Sequence, residues 1–322
     1  MTRYLTGRLA QILIVLLLMS LAIYLLIGLM PGDPIDLLIG ANPRMTSADA
    51  ARLRIAYGLD QPLWTRYVTW LGLALQGDFG FSRNFAQPVL AVIGPRLANT
   101  ALLMLAGFVL SVAIALPLGI VAAAKPHSRI DNLVNFLCFA GISIPAFWLA
   151  LLLIILFAVA LGWLPASGIG GDDPTLSGGA WLLDKARHLI LPLLTLVIAN
   201  IGHYTRYVRA AMVEVLRQDF VRTARAKGAG ERRVVWRHAL GNAMIPVATI
   251  LALSFGSLFS GALVTETMFA WPGMGKTIYD SILGNDYNLA LVGLLFATLL
   301  TLLSSLAADL LYFWLDPRID IK

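Results

Sequence analysis

Six stretches of this chain are apolar over roughly the length needed to cross a bilayer, and no other property of the sequence restricts its folding as much. They are Leu9–Met30, Ala98–Ala124, Leu133–Leu161, His188–Ile201, Ile245–Val264 and Leu289–Ala308. A helix needs about 20 apolar residues to traverse a hydrocarbon layer. None of the six keeps the polar face of a helix packed on an aqueous core. In lipid, every backbone N–H and C=O must pair within the spanning structure, so separate apolar runs fold as helices and not as open strands. The fourth run is the shortest and soon meets Arg206. Composition points the same way. The chain is 59% hydrophobic and 13% charged, against about 25% charged residues in an average soluble domain. The fold class is therefore an all-α membrane protein with six transmembrane helices.

The first run has the position of a signal peptide but not its form. Leu9–Met30 is 22 residues without a charge, longer than the 7–15-residue apolar core of a cleaved signal. Pro31-Gly32-Asp33-Pro34 follows, where a signal would have small residues for cleavage. It reads as a retained first span.

Lysine and arginine set the orientation, because they collect on the cytoplasmic side of short loops. With six spans the two termini share a side. That side holds Arg3, Arg8, Lys125, Arg129, Arg206, Arg209, Arg217, Arg222, Arg225, Lys227, Arg232, Arg233, Arg237, Arg318 and Lys322, fifteen of the 24 basic residues. It is read as cytoplasmic. The formal charge of +6 thus follows topology and calls for no nucleic-acid partner. The opposite face carries the long segment Pro31–Leu97, nearly neutral because Asp33, Asp36, Asp49, Asp60 and Asp78 offset its arginines. Thr46–Arg54 reads as a capped short helix, and Gln61-Pro62 opens a second with Trp64, Tyr67 and Trp70, residues that suit a membrane interface. The organisation is residues 1–30 as first span, 31–97 as external segment, and 98–322 as a five-helix core containing a cytoplasmic loop at 206–242.

Several kinds of chemistry find no support. A lone cysteine, Cys138, builds neither a disulfide framework nor a thiolate metal site. His127, His188, His203 and His238 are scattered. Ala270-Trp271-Pro272-Gly273-Met274-Gly275-Lys276-Thr277 matches a relaxed phosphate-loop pattern, but such a loop needs a preceding strand in a soluble domain. Here it joins two spans on the external face and reads as a tight re-entrant turn. Glu266 and Asp309 lie near helix ends. Ion-coupled carriers usually keep ionisable groups within the membrane, so their scarcity weighs against a secondary transporter, and no nucleophile, paired carboxylate or metal cluster favours an intramembrane enzyme. Both remain as alternatives, together with a scaffold.

The loop Arg206–Asn242 is the most informative stretch. It is basic and contains two helix-like halves, Met212–Lys227 and Glu231–Leu240, broken by Gly228-Ala229-Gly230. Val221, Val234, Val235 and Trp236 lie among its arginines and read as exposed apolar residues on a basic helix pair, a pattern that docks into a groove on a soluble partner.

These residues carry a resemblance. Asp219–Gly228 followed by Arg237–Pro246 is similar to the "EAA" coupling motif of permeases in the dipeptide, oligopeptide and nickel branch of ABC importers. Met30–Pro34, Tyr57–Leu63, Gly77-Asp78-Phe79-Gly80, Gly141–Pro145, Trp163-Leu164-Pro165, Thr265–Gly275 and Asp316-Pro317-Arg318 agree in order. The resemblance covers essentially the whole chain. It departs from the general motif at Arg222, Thr223 and Gly241, where glutamate, alanine and proline are usual, while Ala224 and Gly228 match. It implies a type I importer permease, not itself an enzyme, in the bacterial inner membrane with both termini cytoplasmic. It implies ATPase coupling through Arg222, Thr223, Ala224, Arg225, Lys227, Gly228, Arg237, His238 and Leu240. Its implied partners are a second related permease, two ATPase subunits that bind the ATP and magnesium, and an external solute-binding protein. This chain is expected to hold no cofactor of its own. The implied cargo is a di- or oligopeptide, or alternatively a nickel complex, glutathione or an oligosaccharide.

Overall fold

The computed structural model describes residues 2–29, 46, 48, 49, 52, 55, 60–171, 173–256 and 263–315. Among them the architecture is helical, apart from one short hairpin. Helix α1 is Thr2–Gly28, α2 Leu63–Ala74 and α3 Val89–Ala124. Then come α4 (Arg129–Ser143), α5 (Ala146–Ala160), α6 (Gly178–Leu216), α7 (Asp219–Ala226) and α8 (Glu231–Phe255). The last three are α9 (Leu263–Met268), α10 (Met274–Leu283) and α11 (Tyr287–Leu315). Strands β1 (Phe81–Ser82) and β2 (Gln87–Pro88) pair antiparallel, with Phe81 opposite Pro88.

Among the described residues four helices are long and apolar enough to cross a membrane: Tyr4–Gly28, Val89–Ala124, Glu231–Phe255 and Tyr287–Leu310. Helices α4 and α5 make a fifth if taken as one span bent by 99°. The bend has a local cause. Proline disfavours helical backbone in the residue before it, and Ile144, before Pro145, is extended at φ −85°, ψ 122°. The run His188–Ile201 lies inside the 39-residue α6. Of the predicted helix at 46–54, Thr46 and Asp49 are described, and they make reciprocal capping bonds: Asp49 N–H to Thr46 Oγ1 and Thr46 N–H to Asp49 Oδ2. Ala48 and Arg52 are helical as well, whereas the rest of that stretch, Met30–Pro34, Tyr57-Gly58-Leu59 and the ending Asp316-Pro317-Arg318 lie outside the described residues.

The chain forms two compact units. The first comprises Met1–Ala98 with Met274–Leu300. Its core joins Val89, Val92 and Ile93, one face of early α3, to Met274, Leu289 and Val292. A second cluster puts Ile23 and Ile27 of α1 against Ala290 and Leu291. The hairpin is fixed by polar contacts: Ser82 Oγ and the Asn84 N–H both donate to the buried Asp286 carboxylate, and Arg83 donates to the Gly284 carbonyl.

The second unit comprises Asn99–Gly273 with Thr301–Lys322. Its centre is the crossing of α4 and α6, where two glycines let backbones meet. A Cβ on Gly141 would stand 2.9 Å from the Ile198 carbonyl oxygen, and one on Gly202 2.6 Å from that of Cys138. Small residues at such crossings are how membrane helices gain close packing without a hydrophobic drive. At the basic end of the crossing Arg209 grips Asp131 in a two-pronged pair, Nε to Oδ1 at 2.5 Å and Nη2 to Oδ2 at 2.7 Å. Asp131 is 1% exposed and also accepts from the His127 N–H and Asn135 Nδ2.

Candidate coupling site and family

The predicted docking loop begins as a continuation of α6, which runs on helically to Leu216. Residues 206–216 are therefore part of a long rod, and the separate docking element is the shorter α7. It starts after Gln218, with Asp219 in its first turn, where a carboxylate suits the positive helix end. Val221 and Ala224, three apart, share one face and are buried. They sit on the stretch Val234–Ala239, which is wound as a π-helical segment within α8. Beneath lies a cluster of Ile120, Val208, Met212, Val235, Ala239, Ala243 and Val247.

The valines correct one expectation. Val221, Val234 and Val235 are not exposed among the arginines; they are 0%, 0% and 7% exposed. Each contributes about 1.5–3 kcal/mol by burial, so they are the base on which the segment stands. The exposed apolar residues are Phe220 at 45% and Trp236 at 52%. Trp236 was legible as an exposed aromatic. Phe220 was not singled out, although as the immediate neighbour of the buried Val221 it falls on another side of α7.

The turn between the helices is specified by its backbone. Gly228 has φ +82°. Its N–H donates to the Arg225 carbonyl and the Ala229 N–H to the Ala224 carbonyl, the paired bonds of a Schellman helix end. A left-handed residue at that place is strained for anything with a Cβ. Arg225 then reaches across the turn to Glu231, Nε to Oε1 at 2.8 Å and Nη2 to Oε2 at 3.2 Å. These hydrogen bonds raise the Arg225 pKa, with burial opposing. Both partners are well exposed, so the bridge sets geometry more than stability.

The nine predicted residues thus divide by direction. Arg222, Thr223, Arg225, Lys227, Gly228 and Arg237 are exposed. Ala224 and Leu240 turn inward, Leu240 against the cluster below, and His238 is half-buried. Together with Arg232 and Arg233, the outer side presents two aromatic rings in a field of cations. Among the described residues no group of His, Cys, Asp or Glu could hold a metal there, and its carboxylates Asp219 and Glu231 are paired with Arg222 and Arg225.

The phosphate-loop-like segment is a different object. Ala270 to Thr277 links α9 to α10, so the element immediately before it is a helix. The Trp271 N–H donates to the Glu266 carbonyl, Trp271 Nε1 donates to the Asn99 carbonyl, and Asn99 Nδ2 donates to that of Pro272. Glu266 is fully buried, accepts from Thr100 Oγ1, and lies directly against Gly273: a Cβ there would be 2.1 Å from its Oε1. A loop that follows a helix and packs against a buried carboxyl group lacks the strand-led cradle of a phosphate loop.

Comparison with known proteins gives this geometry its context. The family described as binding-protein-dependent transport system inner membrane component matches residues 115–321, and its N-terminal membrane component matches residues 1–103. The chain is 39% identical over 321 residues to the oligopeptide transport system permease protein AppB of Bacillus subtilis (strain 168), covering 99% of this chain and 100% of that one. It is 37% identical to the dipeptide transport system permease protein DppB of Alkalihalophilus pseudofirmus, with 99% of each covered. It is 38% identical to the glutathione transport system permease protein GsiC of Escherichia coli (strain K12) over the full length of both. The chain belongs to the family of binding-protein-dependent transport system inner membrane components, and is a multi-pass permease subunit of an ABC transport system rather than an enzyme.

Proposed function

We propose that this chain is the membrane conduit of an ATP-driven importer of small peptides, paired in the membrane with a second, related permease. Two ATPase subunits dock beneath it and hold the ATP and magnesium, and an external solute-binding protein delivers the cargo. The cargo class follows the names of the relatives, which are permeases for oligopeptides, dipeptides and glutathione. In this reading there are six spans, with α6 supplying the one that completes the count. Both termini are cytoplasmic and residues 31–97 external.

The observation that carries the reading is the outer face of α7 and early α8. Phe220 and Trp236 stand exposed among Arg222, Arg225, Lys227, Arg232, Arg233 and Arg237, over a base of buried valines. A soluble partner with an apolar groove and an acidic rim matches it. Because α7 rests on α8 and the α6 cluster, a push on this face is transmitted into membrane helices as a rigid-body motion between two states of the permease.

The test is assembly and coupling in the reconstituted complex. Changing Phe220 and Trp236 together to alanine is expected to lose ATPase subunits in mild detergent while membrane insertion is unchanged. Ala224→Leu, which overfills the buried side of α7, is expected to uncouple ATP hydrolysis from uptake. Normal peptide uptake by both variants would sink the assignment of this face.

A further inference from the structure

Helix α2 carries more apolar surface than its own packing uses. With 3.6 residues per turn, positions i, i+4, i+7 and i+11 form one strip. The strip Leu63, Tyr67, Trp70 and Ala74 faces α1. A Cβ on Gly28 would meet Leu63 Cδ2 at 2.5 Å, the Tyr67 ring packs 5.5 Å from that of Tyr24, and Trp70 lies 6.0 Å from Tyr24. The Tyr67 hydroxyl shares a buried hydrogen bond of 2.9 Å with Ser20 Oγ. The neighbouring strip is Trp64, Val68, Leu71 and Leu75. It has no charge, and Trp64, Val68 and Leu75 are 62%, 51% and 81% exposed. The third strip is Thr65, Thr69, Gly72 and Gln76, with Thr69 and Gln76 bonded back to their own helix. The remaining flank carries Leu73, 45% exposed, and Arg66, whose side chain hydrogen-bonds with Tyr24 of α1.

The level of α2 along α1 says what covers the exposed strip. At 1.5 Å per residue, Tyr24 lies about 8 Å and Ser20 about 14 Å inside Leu29, near the end of the first apolar run. Half a hydrocarbon core is about 15 Å. So α2 packs on α1 beside residues that belong to the apolar layer, next to the exposed Leu25, Leu26 and Leu29. An exposed apolar strip at that level, on a helix packed against a span that itself exposes Leu25, Leu26 and Leu29, has acyl chains as its neighbour. We infer that α2 is an interfacial helix, embedded in the leaflet at the C-terminal end of α1. Trp64, Val68 and Leu75 contact phospholipid, and Thr65, Thr69 and Gln76 face water. Tryptophan at such a boundary keeps its ring in the acyl region and its N–H among headgroups. The external segment is thereby held to the bilayer surface just before it enters the hairpin and α3.

This inference rests on α1 being a span but not on the direction of transport or the identity of the cargo. The test uses the assembled transporter in vesicles of phosphatidylethanolamine and phosphatidylglycerol, with Cys138→Ala as background. Nitroxide labels are placed singly by W64C, V68C, L75C, T65C, T69C and Q76C, and on α1 by L13C. Relaxation by oxygen, which concentrates in lipid, is compared with relaxation by a water-soluble nickel chelate. The expected result is a several-fold higher oxygen-to-nickel ratio at 64, 68 and 75 than at 65, 69 and 76. Equal access of nickel to both strips overturns the inference. So does shielding of 64, 68 and 75 from both reagents, which means that protein covers them. The label at 13 separates the failures: if it reports lipid while the α2 strip does not, only this inference falls.

Discussion

At the scale of single residues, the tightest constraint lies between Gly273 and Glu266. A Cβ on Gly273 would stand 2.1 Å from a buried carboxylate oxygen, so the Glu266 side chain must shift and disturb its bond from Thr100. Gly273→Ala is therefore expected to destabilise by about 1–3 kcal/mol, the usual cost of overpacking, read as a lower thermal midpoint of the purified complex. Glu266→Ala removes the obstacle, so the double variant is expected to lose less than the sum of the single losses. Additive losses would mean that the two positions do not meet. Sequence pattern alone could not show this relation. The context of the segment already spoke against a phosphate loop; what only the fold shows is the Glu266 carboxyl of α9 packed against it.

At the scale of elements, the α4–α6 crossing makes a comparative prediction. Gly141→Ala and Gly202→Ala each force a methyl against a carbonyl oxygen and are expected to lower stability. Gly94→Ala, in a helix with nothing within 4 Å of the new methyl, is expected to gain about 0.5–1 kcal/mol from helix propensity. If all three behave alike, the close crossing is wrong. The same crossing is clamped by Asp131 and Arg209, and a double-mutant cycle on that pair is expected to give a coupling above about 1 kcal/mol. Much of the element pattern was legible beforehand: Ala98–Ala124, His188–Ile201 and Leu289–Ala308 each fall inside a single helix, and α2 begins where Gln61-Pro62 suggested, whereas Leu133–Leu161 is broken at Pro145. The continuation of α6 to Leu216 and the partnership of Asp131 with Arg209 were not. Charge density in a run of arginines looks the same whether the backbone is a loop or the end of a membrane helix, and two residues 78 apart meet only through tertiary packing. For the same reason the three valines of the coupling segment were misread as exposed: composition says that apolar residues are present, while their direction depends on a helix partner beyond the local sequence.

At the scale of the whole molecule, topology is the property to measure. If six spans place both termini in the cytoplasm, a fluorescent-protein fusion at the C-terminus is expected to mature. An alkaline phosphatase fusion after Thr175, between α5 and α6, is expected to be active, and one after Gly228 inactive. The reverse pattern at either internal site would require a different number of spans. The family assignment already fixes that the chain is a membrane component of a transport system. What these fusions decide is which of its surfaces meets the ATPases.

The coupling turn has one more consequence. Among the described residues, nothing beyond its two chain neighbours lies within 4 Å of where a Cβ on Gly228 would be, and yet the backbone there has φ +82°. The site has room for a side chain but has the wrong handedness for an L-residue. Its requirement is chirality, not smallness. A D-alanine installed by chemical ligation has the mirror-image preference and would occupy the turn unstrained, with fewer unfolded conformations to lose, whereas L-alanine of the same volume would cost about 1–2 kcal/mol. The turn proposed as the joint between membrane and motor is in that sense kept open for the one genetically encoded amino acid that has no hand.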